Sequence, residues 1–533
     1  MVGQVSYVLA MIAVVVLARM LGNRIGVPFT ILLTVSGLVY GLLPGPNLQL
    51  NPDVILIVVL PPLLYSAARG SSLLAIRANL RPIVSLSVVL VLLTAFAVGG
   101  LVSLVVPQLP LAAAMVLGAA VAPPDPVAAL SVGRRAGMPP RMSTLIEGEG
   151  LLNDATALTT YQVAVAATVG GGFSLAAASG RLVLAAGGGL VIGIAIAMTV
   201  RFARPWLRDP LIANAVSLAV PFCAYLAGEE LHVSGVLAVV VAGLMVGHDA
   251  PRQESGASRL QTGAVWQLVD FLLEGFVFLL IGQQLPEVVR GLRNEESVGT
   301  IAAAAASTVA VVLLLRPLWL FATQLVPVGL HARLGLDPKE RLSNREVVAL
   351  SWAGTRGVIS LAAIFAVPLT IDGGAPFPRR DLLLFCTYVV VLVTLVGQGL
   401  TFAPILRYLG LRANAAEEAQ VRNEARLASV DAAMEALDDL VMRDEIDAKF
   451  AEAMRTTLTA RAERYRARIE MLQDSEETGW TPDYEAAIAA RRAIISAQHN
   501  ELLRWRDSGR LPDASLRKLQ RELDHEERTL PDR

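Results

Sequence analysis

Residues 1–410 form a succession of long runs rich in Val, Leu, Ala and Ile, and that pattern restricts the fold more than any motif does. Nothing in hydrocarbon can pair with a backbone N–H or C=O, so chains built of such runs resolve into membrane-spanning helices. The apolar segments fall near 4–20, 28–43, 53–67, 82–106, 111–132, 142–168, 182–200, 211–227, 232–247, 264–285, 299–327, 346–371 and 382–408. That is about 13 spans of roughly 20 residues each, some shorter or tilted. The N-terminus, MVGQVSYVLA, lacks a basic leader and reads as the start of the first span.

The loops between these segments are short, so their basic residues report orientation. With the N-terminus outside, the inner loops hold 17 Lys or Arg and the outer loops 5. An odd number of spans then leaves the C-terminus in the cytoplasm. A formal net charge of −1 excludes a strongly basic nucleic-acid binder. Cys223 and Cys386 both lie in apolar segments and read as small core hydrophobes.

Against this background residues 121–160 stand out, because they place Asp125, Glu147, Glu149, Asn153 and Asp154 inside two neighbouring apolar segments. A carboxylate at mid-membrane costs about 2.5–3.5 kcal/mol on insertion scales, so a cluster points to a function. Pro123, Pro124 and Pro126 surround Asp125. In an intact helix these positions would donate to Ala119, Ala120 and Ala122, and proline removes those donors. The span should break there, and its freed carbonyls beside Asp125 would make an oxygen-rich cation site. Glu149 and Asn153 are four apart on one helix face, Asp154 is turned about 100° away, and a pocket common to all three must lie between helices. Gly148 and Gly150 would let a neighbour approach closely. Glu147, nearer the span's end, reads as solvated.

Further along, Glu229 and Glu230 read as a solvated turn, and His232 as a hydrogen-bonded interface residue and not a metal ligand. Asp270 and Glu274 are four apart in the tenth span, where Glu274 needs a partner and is read as structurally paired. Arg316 and Arg356 are buried by the same segment map. Arginine stays protonated, so each needs a counter-charge, and the buried carboxylates are the natural source. Gly354 and Gly357 bracket Arg356 and mark a second broken span, the twelfth. Spans five and twelve are seven apart and run in opposite directions, as an inverted repeat requires.

Residues 411–533 are a different material. Ala415 to about Gln473 is rich in Ala, Glu, Arg and Leu and reads as helix; Asp483–Arg506 reads as an amphipathic helix, and a short helix follows Asp513. The division is therefore a transmembrane domain over 1–410 and a cytoplasmic helical domain over 411–533.

Taken in order, LPPLLYSAA, APPDPVAA, EGLLNDATA, HVSGVLAVVVAGL, LLEGFVFLLIG and GTRGVISLA resemble the bacterial cation/proton antiporters, the monovalent sodium/proton exchangers. The resemblance implies an all-α polytopic membrane protein with two inverted repeats and crossed discontinuous helices, a homodimer in the bacterial inner membrane. It implies sodium binding by Asp154 and Asp125, support from Asn153 and Glu149, and pairing of Arg356 and Arg316 with the site's carboxylates. Two positions depart from the family pattern: Pro124 stands where a Thr often precedes the aspartate, and Ser66 where many members have an acid.

These readings converge on a secondary antiporter, not an enzyme, in which a proton and Na+, or K+ or Li+, compete for the same oxygens. No cofactor is expected, and no G-x-x-x-x-G-K-[ST] stretch occurs. A single acid in the Asn153–Asp154 pair implies, through the resemblance, one-for-one electroneutral exchange. The alternatives are a sodium-coupled symporter, which would need a second solute pocket, and a cation channel.

Overall fold

The computed structural model describes residues 2–43, 55–170, 175–206, 209–292, 297–325, 341–412, 415–474, 482–508 and 510–528. Two compact units emerge, Met1–Arg412 and Ala413–Arg533. Among the described residues both are helical, apart from an isolated bridge between Thr370 and Pro376.

The first unit begins with α1 (Val2–Ile25), α2 (Phe29–Leu42), α3 (Ile55–Gly70), α4 (Leu73–Ala78) and α5 (Leu80–Val105). A broken pair follows, α6 (Leu111–Val121) and α7 (Pro126–Arg135), then α8 (Pro140–Val169), α9 (Leu175–Ala203) and α10 (Pro210–Glu230). The remainder comprises α11 (Gly235–Gln253), α12 (Gly256–Gly291), α13 (Val298–Gln324), a second broken pair α14 (Asn344–Trp352) and α15 (Val358–Phe365), and α16 (Arg380–Tyr408).

Among the described residues, eight helical segments are long and apolar enough to cross a membrane, the α6–α7 pair counting as one. α2 and α3 are apolar but shorter. α8 is 30 residues long yet falls outside the eight, because its acidic and amide side chains lower its hydropathy. In α3, Pro61 and Pro62 occupy the first α-helical turn, where missing donors matter least, and the irregularity precedes them as a π turn over Ile55–Val59.

Both breaks occur where proline or glycine removes the means to continue. α6 ends at Val121, and α7 restarts at Pro126 with Asp125 as its N-cap, accepting from the Val127 amide at 2.9 Å. α14 ends at Trp352, and α15 restarts at Val358 after the glycines. The two interruptions meet. The Asp125 amide donates to the Thr355 carbonyl at 2.6 Å, and the Thr355 hydroxyl donates to the Asp125 carbonyl at 2.8 Å. α6 and α15 pack together and share one apolar cluster through Val121, Val358 and Leu361; α14 joins the other through Val347 and Leu350. One helix of each pair therefore lies on either side of the crossing, and the pairs run antiparallel.

Arg356 closes the crossing, and here the structure corrects the sequence reading. Its guanidinium was expected on a carboxylate, with the freed carbonyls left for a cation. Instead its Nε donates to the Val121 carbonyl at 2.8 Å, its Nη2 to the Ala122 carbonyl at 3.2 Å, and its Nη1 to the Gly354 carbonyl. A permanently charged fork with five donors is well suited to orphaned carbonyls that water does not reach. Its own amide donates to the Thr394 hydroxyl of α16 at 2.9 Å.

The second unit holds α17 (Ala415–Met442), α18 (Ala448–Asp474), α19 (Pro482–Asp507) and α20 (Asp513–Arg528). The helical run expected from Ala415 is interrupted: Asp444 adopts a left-handed conformation at φ 57° and the chain reverses. Arg455 of α18 then pairs with Asp438 of α17, and Arg426 lies over the Tyr465 ring, so the two form an antiparallel hairpin. α19 and α20 are joined by Arg491 and Glu526 at 3.2 Å.

Arg356→Leu orphans the Val121 and Ala122 carbonyls, at about 1–3 kcal/mol each. The expected result is a marked fall in melting temperature, read by size-exclusion chromatography of heated detergent extracts. An unchanged melting curve would show that the guanidinium is dispensable to the crossing.

A candidate cation site at the helix crossing

α8 passes beside the crossing and delivers Glu149, Asn153 and Asp154 to it, all three buried. Its glycines permit the approach. A Cβ at Gly150 would stand 2.4 Å from the Pro126 ring, and one at Gly148 would stand 2.4 Å from Ile83. The Asn153 amide nitrogen donates to the Pro124 carbonyl at 2.7 Å, holding α8 to the broken segment, while its Oδ1 is buried without a hydrogen-bond partner.

Asp125 and Asp154 line one cavity of about 300 Å³, together with Ser66, Asp270 and Glu274. The cavity extends to Arg134 and Glu147, which pair at 2.5 Å; the Arg134 side chain is 65% exposed, so this end meets solvent. Ser71 also donates to Glu147, at 3.3 Å. Asp125 is pressed against the start of α15 as well as capping α7. A Cβ at Gly357 would fall 1.6 Å from its Oδ2, so no other residue fits there without moving the carboxyl. Two helix N-termini thus direct their positive ends at one carboxyl group.

The sequence assigned Glu149 to the ion-binding set and Arg316 to a supporting pair. The structure separates Glu149 from the cavity, because Arg316 takes both of its oxygens: Nη1 meets Oε1, and Nη2 lies 2.8 Å from Oε2. Arg316 Nε donates to the Leu350 carbonyl at 2.9 Å, so a two-pronged, fully buried ion pair links α8, α13 and α14.

Glu274 was expected to hold a structural partner. It makes no ion pair or hydrogen bond among the described residues and faces the cavity. Asp270, one turn earlier on α12, faces it too and accepts a hydrogen bond from Ser66 of α3 at 2.5 Å. The sequence singled out this i, i+4 pair without showing which way its face turns, and it left the Ser66 contact unseen. Both departures have one cause. Arg316 and Arg356 are satisfied by Glu149 and by carbonyls, so neither is left for the cavity acids. Apart from Glu147, four carboxyl groups surround the cavity among the described residues, and a bound proton or cation relieves their mutual repulsion. Hard cations prefer such carboxylate and carbonyl oxygens.

Residues 10–408 match the family described as sodium/hydrogen exchanger, transmembrane. The chain belongs to the sodium/hydrogen exchanger family. An uncharacterised Na+/H+ exchanger of Mycobacterium tuberculosis is 33% identical over 98% of this chain and 96% of its own length. A sodium, potassium, lithium and rubidium/H+ antiporter of Bacillus subtilis is 31% identical over 73% of this chain and 59% of its own. The fold is that of the sodium proton antiporter MjNhaP1 of Methanocaldococcus jannaschii, with a TM-score of 0.61 at 19% identity over 76% of this chain and 98% of that one. The crossing, with Asp125, and the buried Arg316–Glu149 pair both fall inside the family match.

Removing either partner of that pair leaves a buried charge alone, at about 3–5 kcal/mol, whereas replacing both by apolar groups is far less harmful. Arg316→Leu and Glu149→Leu are each expected to lower the melting temperature strongly, and the double variant to recover a large part of the loss. Thermal-shift measurements on the four proteins close the cycle; additive losses would refute the coupling.

Proposed function

We propose that this exchanger is a secondary antiporter that moves Na+ one way and H+ the other, with Asp154 and Asp125 as the shared carrier site. The observation that carries this reading is the joint exposure of these two carboxyls to one buried cavity, at the point where two interrupted helices cross. Asp154 takes either a proton or the cation, and Asp125, held by two helix N-termini, supplies further oxygens. Asn153 fixes α8 against Pro124, while Arg316, Glu149 and Arg356 keep the surrounding backbone in place. Asp270 and Glu274 lie along the same cavity and offer the ion intermediate stops.

The loaded site is closer to neutral than the empty one, so the loaded form crosses more readily when one bundle rocks against the other. The excess of arginine in the loops on the Arg134 side supports cytoplasmic access through the cavity. The full arrangement we infer is about 13 spans in two inverted repeats. The N-terminus lies outside, the helical domain over 411–533 is cytoplasmic, and a homodimer sits in a bacterial inner membrane. The breadth of ions in the Bacillus subtilis relative's name leaves K+ and Li+ as substrates beside Na+. Exchange is one-for-one and electroneutral, on the strength of the single acid in the Asn153–Asp154 pair.

In proteoliposomes with a pH-reporting dye, Asp154→Asn is expected to eliminate Na+-driven proton flux; wild-type flux from that variant would sink the assignment. Competition fixes the sign of the pH dependence. As pH falls, protons occupy the site and the apparent half-saturation for Na+ rises, by up to about tenfold per pH unit. A half-saturation independent of pH would rule out a shared site. Setting the membrane potential with valinomycin is expected to leave the rate unchanged, and acceleration by voltage would contradict electroneutrality.

A further inference from the structure

The cavity that holds Asp125 and Asp154 is also walled by α3 and α12, which pack together and bring Ser66, Asp270 and Glu274 to it. We propose that these three residues form a second monovalent-cation site, filled while Asp154 and Asp125 hold an ion or proton of their own. Ser66 donates to Asp270 Oδ2 at 2.5 Å, and the other oxygen, Oδ1, is buried without a hydrogen-bond partner. Glu274 stands one turn further along α12, enclosed by the protein, and holds no ion pair or hydrogen bond among the described residues. It lies within reach of two charges of its own sign, Asp270 and Asp125. A carboxylate so placed is costly unless a positive charge settles among its oxygens.

The nearby arginines do not supply that charge. Arg69, one turn after Ser66 on α3, pairs with Glu254 at 3.2 Å, and Arg204 takes the same carboxylate. Arg134, at the mouth of the cavity, is held by Glu147. Arg19 of α1 acts on Glu274 only from a distance, its guanidinium lying over the Phe29 ring at 5.0 Å. The unpaired oxygens of Asp270 and Glu274, with the Ser66 hydroxyl beside them, are hard donors suited to an alkali cation. One cation shared among four carboxyl groups leaves most of their repulsion in place, and a second on α12 lowers it further. The ligands belong to α3 and α12 and not to the broken helices, so this site fills and empties separately from the carrier acids. An ion held there is the next to reach Asp154. The site rests on the reading of the cavity as the ion's path and adds a waiting place to it.

The test is the thermal stability of the full chain in detergent at alkaline pH, with Na+ exchanged for choline at constant ionic strength. Asp125→Asn/Asp154→Asn removes the carrier acids and is expected to keep a Na+-specific rise in melting temperature. Adding Asp270→Asn and Glu274→Gln to that variant is expected to abolish the rise. Glu274→Asp, which keeps the charge, should retain more of the response than Glu274→Gln. If the fourfold variant does not fold, Asp154→Asn/Glu274→Gln reads the same loss. A Na+ response missing from the carrier variant, or equal in it and the fourfold variant, would overturn the site, as would equal responses from Glu274→Asp and Glu274→Gln. Transport supplies a second readout. In proteoliposomes, Asp270→Asn/Glu274→Gln should raise the half-saturation for Na+ on the cavity side about tenfold, with a smaller effect on the maximal rate. An unchanged half-saturation would count equally against the site. A wild type without Na+-driven proton flux would sink the antiport reading alone, because the stability measurement reads binding without transport.

Discussion

Breaking two helices inside a membrane is costly unless every released carbonyl and amide finds a partner, and the crossing around Arg356 meets that requirement. Asp125 and Thr355 exchange two hydrogen bonds between the broken segments, and one guanidinium serves carbonyls from both. These carbonyls are buried, so an unpaired group there costs far more than it would at a surface. The interrupted helices are tolerated because each completes the other.

The same economy of charge accounts for the cavity. The crossing region holds two buried arginines and more acids than those two can serve. Arg316 is committed to Glu149 through two contacts, and Arg356 is committed to backbone. Asp125, Asp154, Asp270 and Glu274 are left around a space that reaches solvent at the Arg134 end. Structure-holding charges and exchangeable ones are thereby separated, though they sit within a few residues of one another on α8. Glu149 and Asp154 illustrate it: five residues apart, one is locked in an ion pair and the other opens to the cavity.

The tail shows a different balance. α17 to α20 are mostly charged on their outer faces, with buried contacts at Val430, Leu437, Ala462, Ile495 and Leu516. Composition made these segments legible as helices, but the reversal at Asp444 was not. Neither glycine nor proline marks it, and a left-handed aspartate is a local choice that only the hairpin's packing stabilises.

The sequence by itself determined the class of the molecule: apolar runs of span length, two breaks where proline or glycine interrupts them, and buried acids and arginines that could not be accidental. Those conclusions rest on local chemistry, namely which residues can donate, which can bend and which are costly in hydrocarbon. Which charge meets which partner was decided only by tertiary structure. Arg356 turned to carbonyls, Glu149 to Arg316, and Glu274 to open space, because a guanidinium selects among all donors and acceptors within its reach. That neighbourhood is assembled from α6, α8, α13, α14, α15 and α16, segments separated by up to a few hundred residues, and spacing along one chain carries no record of it.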